Sequence, residues 1–283
     1  MGLTSARRRL HALLGAVLAG LIAMVWFGRH QAPEQRPALT AIDGATLAAL
    51  SVERRSEPPI SLQQHDGEWE LTSPDRLEAS SPQVSDLLAI FAAPVVASYP
   101  RASVDTAELQ LDQPLAEIAT AGVHIRFGAR GRPEGYRYVA IDEDVHLISD
   151  RHYDTVAAPL ADFVGTKPLP LGDLARIEWA DDLVLVASDD GARWLLVGAT
   201  EVTDGGGLAA AWLSLRARSV HPLDPATAPG ATMLVWLRER SRPIQFELIT
   251  TPDQPPVLLR RDLALLYVLD ANATGPLRPA GTE

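Results

Sequence analysis

Metal chemistry is the first possibility the side chains raise. His124 and His146 fall on expected strands of one sheet, and His152 and Asp154 follow shortly after, so imidazoles and a carboxylate could gather around a zinc ion. The short, fixed ligand spacing of a sequence-level metal motif is absent, however. Polar residues alternating with apolar ones along half-buried strands account for both strand histidines without a metal. His65, beside Asp66, reads as a solvated turn residue. Anion binding is the second possibility, because Asp204-Gly205-Gly206-Gly207 precedes an expected helix whose first backbone N–H groups would face a ligand. A phosphate loop would want a buried parallel strand before the glycines and a lysine or hydroxyl residue after them; Leu208 follows instead, so the run reads as a helix start. Asp142-Glu143-Asp144 lacks the further oxygen ligands of a calcium loop and reads as a charged hairpin turn. There is no HExxH zinc motif, no nucleophile elbow around a serine, and no carboxylate pair that stands out from the 36 acids. No catalytic, cofactor-binding or metal-ligating residue is assigned, and no cofactor is expected.

Recognition leaves one candidate. Tryptophan is enriched both in cores and in contact patches. Trp194 and Trp212 lie on apolar faces and are expected in the core. Trp179, in Arg176-Ile177-Glu178-Trp179-Ala180-Asp181-Asp182, has charges on both sides; if exposed, it marks a contact surface.

The elements that would position these residues come in two similar sets. In the first, Ser51 to Arg55 reads as a short strand after a helix or turn over Ala41 to Leu50. Ile60 to Gln64 and Trp69 to Leu71 flank His65-Asp66-Gly67, and an Asp-Gly pair between alternating apolar positions predicts a hairpin. Ser80-Ser81-Pro82 opens a helix that places Val84, Leu87, Leu88 and Phe91 on one face. Strands are predicted over Val123 to Phe127, Tyr136 to Ala140 and Val145 to Ile148, then a helix over His152 to Phe163. The second set repeats the order: a hairpin from Leu183 to Val197, a helix from Leu208 to Arg218, strands over Met233 to Leu237, Ile244 to Ile249 and Val257 to Leu259, and a helix over Leu263 to Leu269. The predicted class is α+β, two tandem repeats of antiparallel sheet packed with helices, over residues 41–168 and 169–283.

Ahead of these repeats stand Arg7, Arg8 and Arg9 and an apolar run from Leu10 to Gly28, which ends on Trp26, Phe27 and Gly28. As a helix the run would reach about 28 Å, close to the hydrocarbon thickness of a bilayer. The arginines place residues 1–9 in the cytoplasm, and Trp26 and Phe27 suit the far interface. A cleaved signal would need a shorter core and small residues at the cleavage site, which Gly28 to Pro33 do not offer. The run is therefore read as a transmembrane signal anchor, and residues 29–40 as a stalk. Beyond the run the chain keeps 22 of its 25 basic residues and all 36 acidic ones, a formal charge of −14. That balance argues against nucleic acid as a partner, since a phosphate backbone selects a basic footprint. With no cysteine, the chain has neither a disulfide framework nor a lipidation site of the lipoprotein type.

Five motifs in order complete the reading. Asp66-Gly67-Glu68-Trp69-Glu70-Leu71-Thr72-Ser73-Pro74, Leu109-Gln110-Leu111-Asp112-Gln113-Pro114, Ile125-Arg126-Phe127-Gly128, Gly135-Tyr136-Arg137-Tyr138-Val139 and Val145-His146-Leu147-Ile148 together resemble the bacterial family described as domain of unknown function 4340. The resemblance spans Leu50 to Val197 and departs from the pattern at Gln110, where the family usually shows glycine. It implies a single-span, envelope-facing protein, in some members similar to auxiliary components of ABC-type export or gliding machinery, and it carries no catalytic residues. The expected function is thus a non-catalytic accessory of an inner-membrane complex, with the main domain in the periplasm. The alternatives are a periplasmic binding module for a glycan, lipid or peptidoglycan fragment and, third, an enzyme such as a hydrolase with an unrecognised site.

Overall fold

A computed structural model describes residues 36–188, 193–198, 201–270 and 277 of the chain. The Asp-Gly turn forms as its chemistry dictates, with Asp66 at φ 51° and Gly67 at φ 86° reversing the chain so that His65 faces Glu68. Around this turn the first sheet opens with β1 (Ala49–Arg54), β2 (Ile60–His65), β3 (Glu68–Ser73) and β4 (Leu77–Glu78). Helix α1 (Ser81–Phe91) then crosses the sheet, with Pro82 in its first turn and Val84, Leu87, Ile90 and Phe91 buried. The chain next adds β5 (Ala97–Pro100), β6 (Ala116–Thr120), β7 (Val123–Arg130), β8 (Tyr136–Ile141) and β9 (Asp144–Ser149). The order across the nine strands is β4-β3-β2-β1-β6-β7-β8-β9-β5.

Two short helices, α2 (Arg151–Val156) and α3 (Leu160–Phe163), lead to the second sheet. It comprises β10 (Leu174–Trp179), β11 (Val184–Ala187), β12 (Trp194–Val197), β13 (Val202–Asp204), then α4 (Gly206–Leu213), then β14 (Ser219–Pro222), β15 (Ala231–Leu237), β16 (Ile244–Ile249), β17 (Val257–Arg260) and β18 (Leu265–Val268). Its order, β13-β12-β11-β10-β15-β16-β17-β18-β14, is that of the first sheet strand for strand, with the helix again after the fourth strand. Two similar antiparallel sheets therefore follow one another along the chain.

The α+β expectation is corrected by this architecture. The protein is mainly β, two nine-stranded sheets with four short α-helices among the described residues. Strands β4, β5, β13 and β14 have only two to four residues each, too few for an alternating pattern to register. The expected helix over Leu263 to Leu269 is a 3-10 turn, Arg261–Leu263, stopped by Ala264 at φ 53° and followed by β18. Short apolar runs do not declare their period, and here edge pairing with β14 and β17 decided it. The helix predicted over His152 to Phe163 breaks before Pro159, and α4 ends five residues before Arg218. No helix among the described residues is long and apolar enough to cross a membrane; Arg7, Arg8, Arg9, Leu10, Trp26 and Phe27 lie outside them.

The described residues from Ala38 onward form one compact unit; the larger apolar core runs through both sheets, and a small separate cluster gathers Leu111, Ala140 and Val145. At the seam α3 packs against β14 and β18, and the backbone crosses in hydrogen bonds from Ala217 N to Thr166 O (2.7 Å) and from Leu171 N to Arg76 O (2.9 Å). Two of the motifs that carry the family resemblance meet in this unit. A side chain at Gly128 would come within 2.2 Å of the Leu109 carbonyl oxygen, so only glycine lets the Leu109-Gln110-Leu111 segment lie on β7. Gln110 itself sits at φ 55°, a left-handed conformation that glycine adopts with less strain. Gln110→Gly is expected to raise unfolding free energy by about 0.5–1 kcal/mol, relief of left-handed strain less the added chain entropy. A lower urea midpoint for the variant would show that Gln110 makes a contact worth more than the strain.

Candidate functional site

The first candidate lies at the seam. Arg54 closes β1 on the same face as Leu50 and Val52, because strand residues two apart share a face, and it is carried into the interior at 9% exposure. Its Nη1 donates to the Ala158 carbonyl and its Nη2 to the Pro58 carbonyl at 3.2 Å, and the guanidinium stands 5.5 Å from the Phe163 ring centre. Its Nε is buried without a partner, and burial lowers the pKa of the group, offset in part by the field of Glu57. The side chain borders a cavity of about 360 Å³ whose walls come from both halves: Ile60 and Pro74 on one side, Leu160 and Ala161 of α3 between, Pro222 and Leu263 on the other. Two further charges of the second half line it, and both are committed elsewhere. Arg261 donates to Glu247 from Nε (2.8 Å) and Nη2 (3.0 Å), and Asp262 accepts from Arg260 (3.2 and 3.0 Å).

The second candidate is the outer face of the second sheet. Register places Val184, Val186, Leu195, Val197, Leu234 and Trp236 in one outward layer, with Val202 continuing it on the edge strand β13; Arg176 and Glu178 of β10, ion-paired at 2.8 Å, lie in the same layer between the β11 and β15 residues. Leu195 is 39% and Val202 60% exposed. On the first sheet the corresponding layer holds Ser51, Glu53, Gln63, Glu70, Glu117 and Arg126, and then passes on β8 and β9 to Ala140 and Val145, which pack with Leu111. Around its first four strands one fold thus shows a solvent-facing polar layer in its first half and a more apolar one in its second. Only the polar face is what an unpartnered sheet presents to water.

Trp179 is not at this surface. It is 6% exposed, because it is the last core-facing residue of β10 and pairs with Met233; the charges beside it, Glu178 among them, point the other way. The expectation of an exposed Trp179 is therefore corrected. Trp212 is fully buried and Trp194 half-buried against the core. His124 contacts Glu117 on the polar outer face, while His146 Nδ1 stands 2.9 Å from Ser98 Oγ. His152 is buried on α2, and no group of three metal-ligating side chains forms among the described residues. Asp204 Oδ1 accepts from Gly206 N at 3.0 Å, holding the start of α4. His65 is exposed beside Asp66, and Asp142, at φ 50°, turns the chain between β8 and β9. Arg54 escaped the sequence reading, although the Leu50-Val52-Arg54 alternation was its signal.

No family model matches the chain, and no curated protein and no solved structure matches it either.

Buried His152 and half-buried His146 give the fold a pH dependence. Burial, reinforced by Arg151, pushes His152 below its ordinary 6.5, and burial lowers His146 against the pull of Asp144. A group whose folded pKa is depressed binds more protons in the unfolded chain, so its contribution is complete above about pH 6.5 and is lost as pH falls below that. Glu247, held below its ordinary 4.5 chiefly by the Arg261 hydrogen bond, adds a further loss in the carboxylate range. The urea midpoint should fall between about pH 7.5 and pH 5.5, and less steeply in His152→Asn. A midpoint that is flat or rises over that range would contradict the assignment.

Proposed function

We propose that this protein is a non-catalytic accessory subunit, tethered at the bacterial inner membrane by the Leu10 to Gly28 segment, with its β-sheet body in the periplasm. Its partner is a protein of the same membrane, of the ABC-type export or cell-envelope class that the family resemblance implies. The observation that carries this reading is the contrast between the two outer faces. The identical strand orders support an internal duplication, after which one copy kept a solvated face and the other acquired an apolar one. Exposed apolar surface such as that of Val184, Val186, Leu195, Val197 and Val202 on β11, β12 and β13 marks interaction sites. Among the described residues from Ala175 to Asp204, the chain that builds and borders it holds five acids and two arginines, a net of −3. That border repels anionic headgroups and suits a protein surface with an apolar centre and a basic margin.

The test is co-purification in mild detergent. Wild-type protein should carry a defined membrane protein with it, and the Leu195→Glu/Val202→Glu double variant should lose that partner. Both sites are exposed, so stability should change by no more than about 0.5 kcal/mol per site. The control Gln63→Glu, on the polar face, should retain the partner. Wild-type protein recovered alone, or a double variant that keeps its partner, would overturn the proposal.

A further inference from the structure

We infer that the cleft at the seam is a binding site for a small organic carboxylate with an apolar body, and that Arg54 is the residue that receives the carboxylate. The inference does not depend on the docking face. Three arginines of the described structure are nine-tenths or more buried, and two are neutralised by acids. Arg137 donates from Nε to Asp150 at 2.6 Å, and Arg260 donates to Asp75 and Asp262. Arg54 has no carboxylate within ion-pair distance among the described residues; carbonyl oxygens and the Phe163 ring are its partners, and its Nε has none. A cation taken out of water without a counter-charge is costly, and an acid supplied from outside removes that cost.

The fold itself does not require a cation there. Arg54 is the last core-facing residue of the first strand of its sheet, and the residue in that place on the second sheet is Trp179, a neutral side chain. The second half packs well with an uncharged group at this position. In the first half the charge coincides with a cavity, and the coincidence points to a ligand.

The lining selects the ligand's chemistry. Pro58, Pro74, Pro159 and Pro222 have no backbone N–H to offer, so the Arg54 N–H groups not given to the Ala158 and Pro58 carbonyls are the donors its charge brings to the cleft, and Ile60, Leu160, Ala161 and Leu263 provide apolar walls. Glu57 and Asp262 stand on the same lining, and their field opposes a doubly charged phosphate more than a singly charged carboxylate. A monoanion with a hydrocarbon body meets all of these conditions.

Isothermal titration calorimetry of the full chain in mild detergent tests the inference, with hexanoate as probe, hexanamide as its uncharged counterpart and inorganic phosphate as the hydrophilic anion. Hexanoate should bind saturably, roughly tenfold or more tighter than hexanamide or phosphate. Arg54→Met should erase that difference by weakening hexanoate alone, while Glu57→Gln, which removes a repelling charge, should tighten hexanoate severalfold. Leu263→Trp keeps Arg54 and fills the cavity, and should abolish binding of both organic probes; it decides the question if Arg54→Met fails to fold. Hexanoate bound no tighter than hexanamide, phosphate bound as tightly as hexanoate, or undiminished hexanoate binding in a folded Arg54→Met or Leu263→Trp protein would each overturn it.

Discussion

Asp75→Asn is expected to cost about 3–5 kcal/mol of unfolding free energy, the largest loss from any single polar substitution in the chain. Asp75 lies between β3 and β4 of the first sheet at 8% exposure, and it reaches across the seam to accept from Arg240 with Oδ1 and from Arg260 with Oδ2. Arg260, at the end of β17, is 1% exposed, so its charge is stranded once that carboxylate is gone; Asp262 remains, but it is half-exposed and weaker for it. Arg240 loses its carboxylate as well, and burial followed by the proximity of Arg260 already lowers its pKa. An amide of the same shape keeps the packing, but it removes the charge and turns one of the two acceptor oxygens into an N–H donor that faces an arginine. Combining it with Arg260→Met should return much of the loss, because an apolar side chain no longer needs the acid. Urea unfolding measures both. Four of the six tryptophans lie between Trp179 and Trp236, so fluorescence reports on the second half while circular dichroism reports on both. The two signals should coincide in the wild type and separate in Asp75→Asn if the seam couples the halves. A loss of less than about 1 kcal/mol would mean that solvent reaches Arg260 and that the seam does not depend on this acid.

Trp212→Ala should be of similar size, about 3–5 kcal/mol, through a different cause. Trp212 is fully buried on α4, its ring tilted against Phe246 at 6.4 Å between centres, and its Nε1 donates to the Leu277 carbonyl at 3.2 Å. The substitution removes the side chain that fastens α4 to the second sheet and leaves a cavity that strands β16 and β17 cannot close. Trp212→Phe restores most of the volume and should cost only about 1–2 kcal/mol, mainly the lost hydrogen bond and its orphaned carbonyl. Equal losses for alanine and phenylalanine would assign the whole effect to the hydrogen bond and refute the packing account. Trp212→Ala should leave hexanoate binding at the seam unchanged as long as the protein is folded, since the side chain does not border the cleft.

Much of the fold was legible because it is written in local chemistry. The Asp66-Gly67 turn, the Ser80 to Phe91 helix and strands β7, β8, β9, β15, β16 and β17 each carry a turn residue, a capping proline or a clear alternation. The misread stretches lack such signals. Leu265 to Val268 is a run of four residues that would serve either period, and Val202 to Asp204 is a strand only because β12 lies beside it. Trp179 was misplaced for a related reason. Its flanking charges suggested exposure, whereas alternation along β10 turns Arg176 and Glu178 outward and the tryptophan in.

By itself the sequence determined that the chain repeats one order of elements, that it is acidic, and that an apolar segment flanked by three arginines precedes it. These are properties of composition and spacing, carried by residues near one another in the chain. Tertiary structure alone decided that both sets close into the same nine-stranded order, that the outer face of the second sheet is more apolar than that of the first, and that Arg54 lies within reach of Pro222 and Leu263. Each of these depends on register or on contacts across more than 100 residues, and no local preference encodes which of several strands will become a neighbour. Burial of the seam and the pairing of edges set those contacts, and with them the two surfaces on which this protein's function is proposed to rest.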